Sequence, residues 1–252
     1  MTLSGERHEA RGNGQEKAAS AQGIPPLASR LLPLAGYSLA MVLAFWVVAQ
    51  VDVPLARAIQ KIDEPWLEQL GLIGQWLGDW RVLLGVSGIL WALGAARGQA
   101  ELQQAGLSTL IAHAYAAGAV QTLKHLVGRA RPRLTQESSL LIGPNFNSGF
   151  DSFPSGHTTA SVAIAVVIAR RFPRFSWLAY GVAGVIAASR VIKGSHFPVD
   201  VLAGVCLGSL AGHLAAVSLP QWRDALAQGI RTIWPWIVGG GAALLILAQA
   251  IT

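Results

Sequence analysis

The chain is poor in charged residues. Only 13% of its 252 residues are Asp, Glu, Lys or Arg, whereas 52% are hydrophobic. Soluble domains carry about 25% charged residues, so this composition excludes an ordinary soluble domain and indicates a polytopic membrane protein. The formal net charge is +6. A basic excess can serve nucleic-acid binding, but in short loops it is also what orients membrane proteins.

Cysteine is almost absent as well. The single Cys206 lies in an apolar run, which excludes an intramolecular disulfide and a multi-cysteine metal site. The sequence has no zinc-finger spacing, aromatic RNA-binding motif or long basic helix, so nothing favours a nucleic-acid partner. Residues 1–30 have no apolar stretch and do not read as a cleavable signal peptide. We predict that they form a disordered cytoplasmic tail.

Long apolar runs dominate the rest of the chain. A membrane-spanning helix needs about 20 mainly apolar residues, and the sequence predicts an all-α, polytopic transmembrane helix bundle with six core spans and a seventh at the C-terminal end. The expected spans are 31–51, 81–96, 107–123, 154–168, 177–188, 198–217 and, after a polar linker beginning at residue 220, 233–251. Residues 66–78 are apolar on one face and are predicted to be interfacial or re-entrant. Glycines within the spans suit close helix packing, among them Gly181, Gly184, Gly204 and Gly208.

Charged groups gather in the segment Ser189–Asp200, between two apolar runs. His196 and Asp200 are four residues apart, so a helix that begins near Pro198 lets the carboxylate hold one imidazole nitrogen. The other nitrogen is then free to act as a nucleophile or base. Arg190 offers a forked cation suited to a phosphate. Taken alone, the segment is equally typical of a loop with a snorkelling arginine and a helix-capping pair.

Two further polar clusters precede this segment. Lys124 and Arg131 are seven residues apart, so a continued helix would point both cations the same way before Pro132 ends it. The corner Pro154–His157 precedes an apolar run, where Ser155 is a natural helix cap and Gly156 allows close approach of a ligand to free N–H groups. The predicted topology brings all three clusters to one membrane face. Fixed cations, backbone donors and two histidines fit phosphoryl transfer.

The three clusters resemble a known signature. The spacings Lys-x6-Arg-Pro, Pro-Ser-Gly-His and Ser-Arg-x5-His-x3-Asp are similar to the three motifs of the type 2 phosphatidic acid phosphatase superfamily, over about residues 80–217. The resemblance implies a transmembrane phosphatase domain over residues 31–219 that needs no cofactor and no metal.

The resemblance also implies a role for each motif residue. His196 would attack phosphorus to give a phosphohistidine, with Asp200 orienting it, and His157 would protonate the leaving oxygen. The remaining motif residues would bind the substrate phosphate: Lys124, Arg131, Arg190, Ser155 and Gly156.

The resulting expectation is a metal-independent membrane phosphatase for lipid phosphate or diphosphate monoesters. Candidate substrates are polyprenyl pyrophosphate, phosphatidylglycerophosphate, phosphatidic acid and lipid A phosphate. The substrate would enter from the bilayer, without an obligate protein partner, and the site would face the periplasmic or extracytoplasmic side of a bacterial inner membrane. A lipid phosphotransferase with the same site is an alternative, as is a phospholipid-binding membrane protein or transporter without enzymatic activity.

Polar residues outside the motif positions have weaker expectations. His113 and His213 fall inside predicted spans and are expected to form interhelical hydrogen bonds. Four residues neighbour the motifs and are expected to bind an acidic head group or second phosphate, or to face water and lipid phosphates: His125, Arg129, Arg133 and Lys193.

Overall fold

The computed structural model describes residues 27–134 and 143–217, and the regular elements of these ranges are helical. The helices are α1 (Leu27–Gln60), α2 (Pro65–Leu77), α3 (Trp80–Ala96), α4 (Ala100–Val127), α5 (Gly156–Arg171), α6 (Ser176–Ile192) and α7 (Pro198–Val217). Short 3-10 turns lie at Pro132–Leu134 and Pro173–Phe175. The chain divides into two compact units, residues 1–47 and 48–252, and the site described below belongs to the second. Most of the predicted tail, the polar linker and the predicted seventh span lie outside the described residues.

Several of these helices suit a membrane. By length and composition, the segments Ala40–Gln60, Pro173–Ile192 and Pro198–Val217 are able to cross one, and the consecutive helices α2 and α3 add a fourth candidate if the pair is one span with a 53° bend. The all-helical membrane architecture is therefore confirmed, and the chain is an integral membrane protein. The described residues give three or four candidate spans, so the predicted count of six and a seventh stays a prediction. The 53° bend is the geometry of a broken span or a re-entrant loop.

Helix α5 is the centre of the bundle. Every residue from Thr158 to Val167 is buried, and apolar clusters join this helix to α3, α4, α6 and α7. In the largest cluster, Ala163 and Val167 pack against alanines of α4 and α7. Alanine lets helix backbones approach closely, which explains how one helix contacts four others. Because α5 begins at the Pro154–His157 corner, this packing fixes the position of that motif.

Glycines of α7 make the closest approach to α5. Gly204, Gly208 and Gly212 recur every four residues and so share one face of the helix. A Cβ at Gly208 would lie 2.5 Å from the carbonyl oxygen of Thr159, and one at Gly212 would lie 2.6 Å from that of Ala163. The two backbones are thus in contact, and the predicted close packing at Gly204 and Gly208 is confirmed.

The glycines of α6 behave differently. A Cβ at Gly181 or Gly184 would meet no atom within 4 Å among the described residues. The described residues therefore give no close packing at these two positions. Both glycines lie on a part of α6 that the helices described here leave open.

Candidate functional site

Two of the predicted cations meet at a turn that follows α4. The helix ends at Val127 because Gly128 adopts the left-handed conformation, with φ of 56°, and its N–H donates to the carbonyl oxygen of Lys124. Arg131 therefore lies outside the helix, so no continued helix aligns the two cations. Both side chains nevertheless converge on Asp151. Lys124 Nζ lies 3.4 Å from Oδ2, while Arg131 donates from Nε to Oδ1 at 2.8 Å and from Nη2 to Oδ2 at 2.6 Å.

Asp151 is an internal anion that the sequence reasoning missed. It lies in the connection between α4 and α5 and is only partly exposed. Burial raises the pKa of its carboxyl, but the hydrogen bonds from Arg131 and the charge of Lys124 outweigh burial and hold the pKa well below its usual range. The lowered pKa favours the charged carboxylate, which pairs with both cations as a bound anion would.

His196 is held by a backbone carbonyl. The imidazole is 2% exposed, and its Nδ1 lies 2.6 Å from the carbonyl oxygen of Ser152. A carbonyl only accepts, so Nδ1 is the protonated nitrogen and Nε2 keeps its lone pair. Asp200 Oδ2 lies 3.8 Å from Nδ1, which is an ion-pair distance and not a hydrogen bond. The expected start of α7 at Pro198 is confirmed, but the expected direct hydrogen bond between Asp200 and the imidazole is wrong.

Asp200 instead binds the groups on both sides of His196. Its Oδ2 accepts from Ser152 Oγ at 2.6 Å and from the backbone N–H of Phe197 at 2.8 Å. Its Oδ1 accepts from Arg129 Nη1. The carboxylate is fully buried and therefore fixes the imidazole through its neighbours. Sequence reasoning had no signal for Ser152, because the contact joins a loop to a segment 44 residues further along the chain.

Arg190 is a buried cation with free donors. It lies in the last turn of α6 and is 5% exposed. Its Nε and Nη1 have no hydrogen-bond partner among the described residues. Buried polar groups without partners are rare and costly. Free guanidinium donors beside other cations are what a site for a phosphate requires.

His157 completes the set in the first turn of α5. Its ring and the side chain of Lys124 line one cavity of about 460 Å³, together with Gly156. The charges of Arg190 and Lys124, and the imidazole of His196, all lie close enough to act on the His157 ring electrostatically. The structure therefore brings residues of all three motifs into one place.

Ser155 has a different environment from the one predicted. It occupies the N-cap position of α5 but makes no capping hydrogen bond with its side chain. Its hydroxyl lies 2.9 Å from that of Thr158, and its backbone N–H donates to the carbonyl oxygen of Asp200 at 3.0 Å. Ser155 is fully buried, so it ties the start of α5 to the first turn of α7.

Comparisons with known proteins address the identity of this arrangement. The family model described as "PAP2 superfamily" matches residues 105–224. The chain is 30% identical over 169 residues to the decaprenylphosphoryl-5-phosphoribose phosphatase of Mycobacterium tuberculosis, an alignment that covers 65% of this chain and 86% of the relative. The chain belongs to the PAP2 superfamily. It is also 33% identical to the putative undecaprenyl-diphosphatase YbjG of Escherichia coli, over 68% of this chain and 88% of the relative.

Other PAP2 proteins match over different lengths. A lipid A 1-phosphatase of Rhizobium johnstonii is 36% identical over 97 residues, but the chain spans only 40% of the length of that relative. The crystal structure of a transmembrane PAP2-type phosphatidylglycerolphosphate phosphatase from Bacillus subtilis is 27% identical, with a TM-score of 0.53 over 70% of this chain and 92% of that one. Aquifex aeolicus LpxE shares the fold, with a TM-score of 0.54 and 24% identity over 66% of this chain and 94% of that one.

One wall of the PAP2 site comes from outside the residues that the family model matches. Gly78 lies at the bend between α2 and α3 and lines the same cavity as His157. A Cβ at Gly78 would lie 2.7 Å from Ile186 Cγ2 and 2.8 Å from His157 Cδ2. Only glycine lets the bend approach the imidazole this closely. A glycine between two apolar helices was visible in the sequence, but its neighbours were not.

The histidines within the helices differ from expectation. His113 lines the cavity, and its buried Nδ1 has no hydrogen-bond partner in the described part of the chain, so the described residues give no interhelical hydrogen bond at this nitrogen. His213 is exposed on α7.

The residues that flank the PAP2 motifs also lie in different environments. Arg133 is exposed, and His125 stacks on Phe146 with ring centroids 4.6 Å apart. Arg129 neither faces water nor offers itself to a head group, because it is 4% exposed and bound to two carboxylates. Both readings given for Arg129 are therefore wrong.

Proposed function

We propose that this protein is a metal-independent membrane phosphatase that hydrolyses lipid phosphate or diphosphate monoesters through a phosphohistidine at His196. The observation that carries the proposal is the hydrogen bond between His196 Nδ1 and the Ser152 carbonyl. It leaves Nε2 as the free nitrogen of a buried imidazole, beside cations that include Arg190 with its unpartnered donors. An oriented nucleophile next to fixed positive charge is the arrangement that phosphoryl transfer needs.

In the first step, the Nε2 lone pair of His196 attacks the terminal phosphorus. The bond from that phosphorus to the lipid oxygen, or to the bridging oxygen of a diphosphate, breaks. Lys124, Arg131 and Arg190 neutralise the charge that develops on the equatorial phosphate oxygens. His157 gives a proton to the departing lipid oxygen. The products of this step are the lipid alcohol, or the lipid monophosphate when the substrate is a diphosphate, and a phosphohistidine.

In the second step, a water molecule attacks the phosphohistidine. His157, now neutral, takes a proton from that water, and the bond between phosphorus and Nε2 breaks. Inorganic phosphate leaves, and both histidines return to their starting protonation states. Asp200 holds Ser152 and the backbone N–H of Phe197 throughout, so the imidazole keeps its orientation.

The substrate class is proposed from the relatives. By their names, the two relatives that match over most of their length act on decaprenylphosphoryl-5-phosphoribose and on undecaprenyl diphosphate. The similar solved structure from Bacillus subtilis is a phosphatidylglycerolphosphate phosphatase. We therefore place polyprenyl pyrophosphate and phosphatidylglycerophosphate first, with phosphatidic acid and lipid A phosphate behind them. The site is proposed to face the periplasmic or extracytoplasmic side of a bacterial inner membrane.

The proposal is tested by phosphate release from these four lipids in detergent with EDTA present. Wild type is expected to turn over at least one lipid, and His196→Ala none. His213→Ala is the matched control, because it removes an exposed imidazole of α7 and is expected to leave the rate unchanged. Activity that survives in His196→Ala, or that needs a divalent metal, contradicts the proposed mechanism. A phosphohistidine that forms without release of phosphate supports the phosphotransferase instead.

A further inference from the structure

Arg129 lies between two buried carboxylates that come from distant parts of the chain. Its Nη2 donates to Asp52 Oδ2 at 2.5 Å, and its Nη1 donates to Asp200 Oδ1. Arg129 and Asp52 are each 4% exposed, and Asp200 is fully buried. Asp52 belongs to α1, and Asp200 to the first turn of α7. One guanidinium therefore joins an early helix to the helix that follows His196.

Both ends of this ion-pair chain hold the segment around His196. The carboxylate of Asp52 also accepts from the backbone N–H of Val199 through Oδ1, at 2.7 Å. The guanidinium of Arg129 lies over the ring of Phe197, 4.2 Å from its centroid. Arg129 thus contacts Phe197, the residue after His196, and Asp52 contacts Val199, three residues after it, although neither touches the imidazole in any contact described here.

The chain of charges also sets how Asp200 is used. Arg129 binds Oδ1, so the carboxylate cannot rotate freely and Oδ2 is kept for Ser152 Oγ and the Phe197 N–H. Stability alone does not call for such charges, because well-packed hydrophobic residues often replace a buried ion-pair network without loss. The network is better explained by a role in orienting the carboxylate of Asp200.

We infer that Asp52 and Arg129 are positioning residues, which fix the carboxylate of Asp200 and through it the carbonyl and imidazole that orient Nε2. This inference rests on the proposed function, because it assigns a purpose to the supports of His196. The inference extends the functional site to α1, because Asp52 lies outside the residues that the family model matches.

The main test removes one charge of each sign. Arg129→Met alone would strand two buried carboxylates, so the informative variant is Asp52→Asn with Arg129→Met, which keeps the local net charge. Its asparagine side-chain oxygen can still accept from the Val199 N–H. Because small displacements of reacting groups cost up to about a hundredfold in rate, we expect kcat to fall about 10- to 100-fold. KM is expected to stay within about twofold, because the phosphate-binding cations are intact. The assay uses radiolabelled undecaprenyl pyrophosphate, or the preferred lipid of the panel above, and includes the single-turnover rate of phosphohistidine formation.

A second variant guards against failure of the double variant to fold. Arg129→Lys keeps the charge but loses the planar fork that binds two carboxylates at once. A lower kcat with unchanged KM is expected here too. A folded variant of either kind with the kcat of wild type overturns the inference.

Arg171→Met is the matched control. This arginine of α5 is half-buried and donates to the side chains of Gln104 and Ser108, which belong to α4. Its loss is expected to leave kcat unchanged, and an equal fall in kcat would show that both arginines act only on stability. His196→Ala distinguishes failure of the proposed function from failure of the positioning role. If it is active, the proposed function fails; if it is inactive while the Arg129 variants match wild type, only the positioning role fails.

Discussion

In the proposed mechanism, the protonation of the buried His196 imidazole controls the first chemical step. Burial lowers the pKa of His196, and the cations Lys124 and Arg190 lower it further, while the carboxylate of Asp200 acts in the opposite direction. The net lowering favours the neutral, nucleophilic form. In the unfolded chain a histidine binds its proton near pH 6.5, so the neutral His196 stabilises the fold above that pH. This contribution is lost as pH falls through 6.5 towards the lower folded pKa.

This residue gives a prediction about pH. The single-turnover rate of phosphohistidine formation is expected to show no fall from His196 protonation until the pH is below the ordinary histidine value of 6.5. The measurement is a profile from about pH 5 to about pH 8 on protein shown to remain folded. A fall in this rate that is caused by protonation of His196 and is centred at or above pH 6.5 would contradict the lowered pKa.

Asp151 gives a second prediction at the same scale. Its carboxylate occupies Lys124 and Arg131, so a phosphate must compete with it for these cations. Asp151→Asn is expected to lower the inhibition constant of inorganic phosphate about three- to tenfold, which corresponds to about 1 kcal/mol.

Asp63→Asn serves as the control for this measurement, because Asp63 is an exposed carboxylate in the turn between α1 and α2. It is expected to leave the inhibition constant unchanged. Weaker inhibition in Asp151→Asn would show instead that the carboxylate orients the two cations for the phosphate.

At the scale of helices, local signals decided what was predictable. The starts of α5 and α7 lie where the Pro154–His157 corner and Pro198 indicated. The predicted span 107–123 stops four residues before the observed end of α4 at Val127, where the left-handed Gly128 ends the helix before Pro132 is reached. The partner of His196 was not predictable at all, since Ser152 belongs to a loop whose path depends on tertiary packing.

The contact between α5 and α7 provides a prediction with an internal control. A Cβ at Gly208 would lie 2.5 Å from a backbone oxygen of α5, whereas one at Gly184 has open space among the described residues. Gly208→Ala is expected to lower the unfolding temperature in detergent by about 3 to 10 °C, as overpacking does. Gly184→Ala is expected to leave it unchanged or raise it, because alanine favours a helix. Equal effects of the two substitutions would contradict the difference in packing.

For the molecule as a whole, the motifs were more predictable than their surroundings. Residue chemistry and the spacing of the three motifs pointed to cations and histidines that the structure brings together. The contributions of Asp52 and Gly78 were not predicted, since a lone aspartate or glycine in an apolar helix has no spacing to mark it. Hydropathy predicted the class of architecture, whereas the predicted number of spans exceeds the three or four candidates among the described residues and stays a prediction.

The orientation of the protein in the membrane can be tested at two exposed positions, one before α5 and one after it. Phe146 is 80% exposed on the site side, and Arg174 is exposed beyond the far end of α5. In a Cys206→Ser background, Phe146→Cys is expected to react with a membrane-impermeant maleimide added to intact cells. Arg174→Cys is the control and is expected to react only after the membrane is opened. The reverse pattern would place the site in the cytoplasm.

The resident carboxylate of Asp151 has a consequence for the complete cycle of the proposed reaction. The Asp151 carboxylate already pairs with Lys124 and Arg131 and holds both side chains in place. Substrate binding then exchanges one anion for another, and departure of the product reverses the exchange. The returning carboxylate displaces inorganic phosphate from cations that would otherwise retain it, so the same residue that weakens binding hastens release.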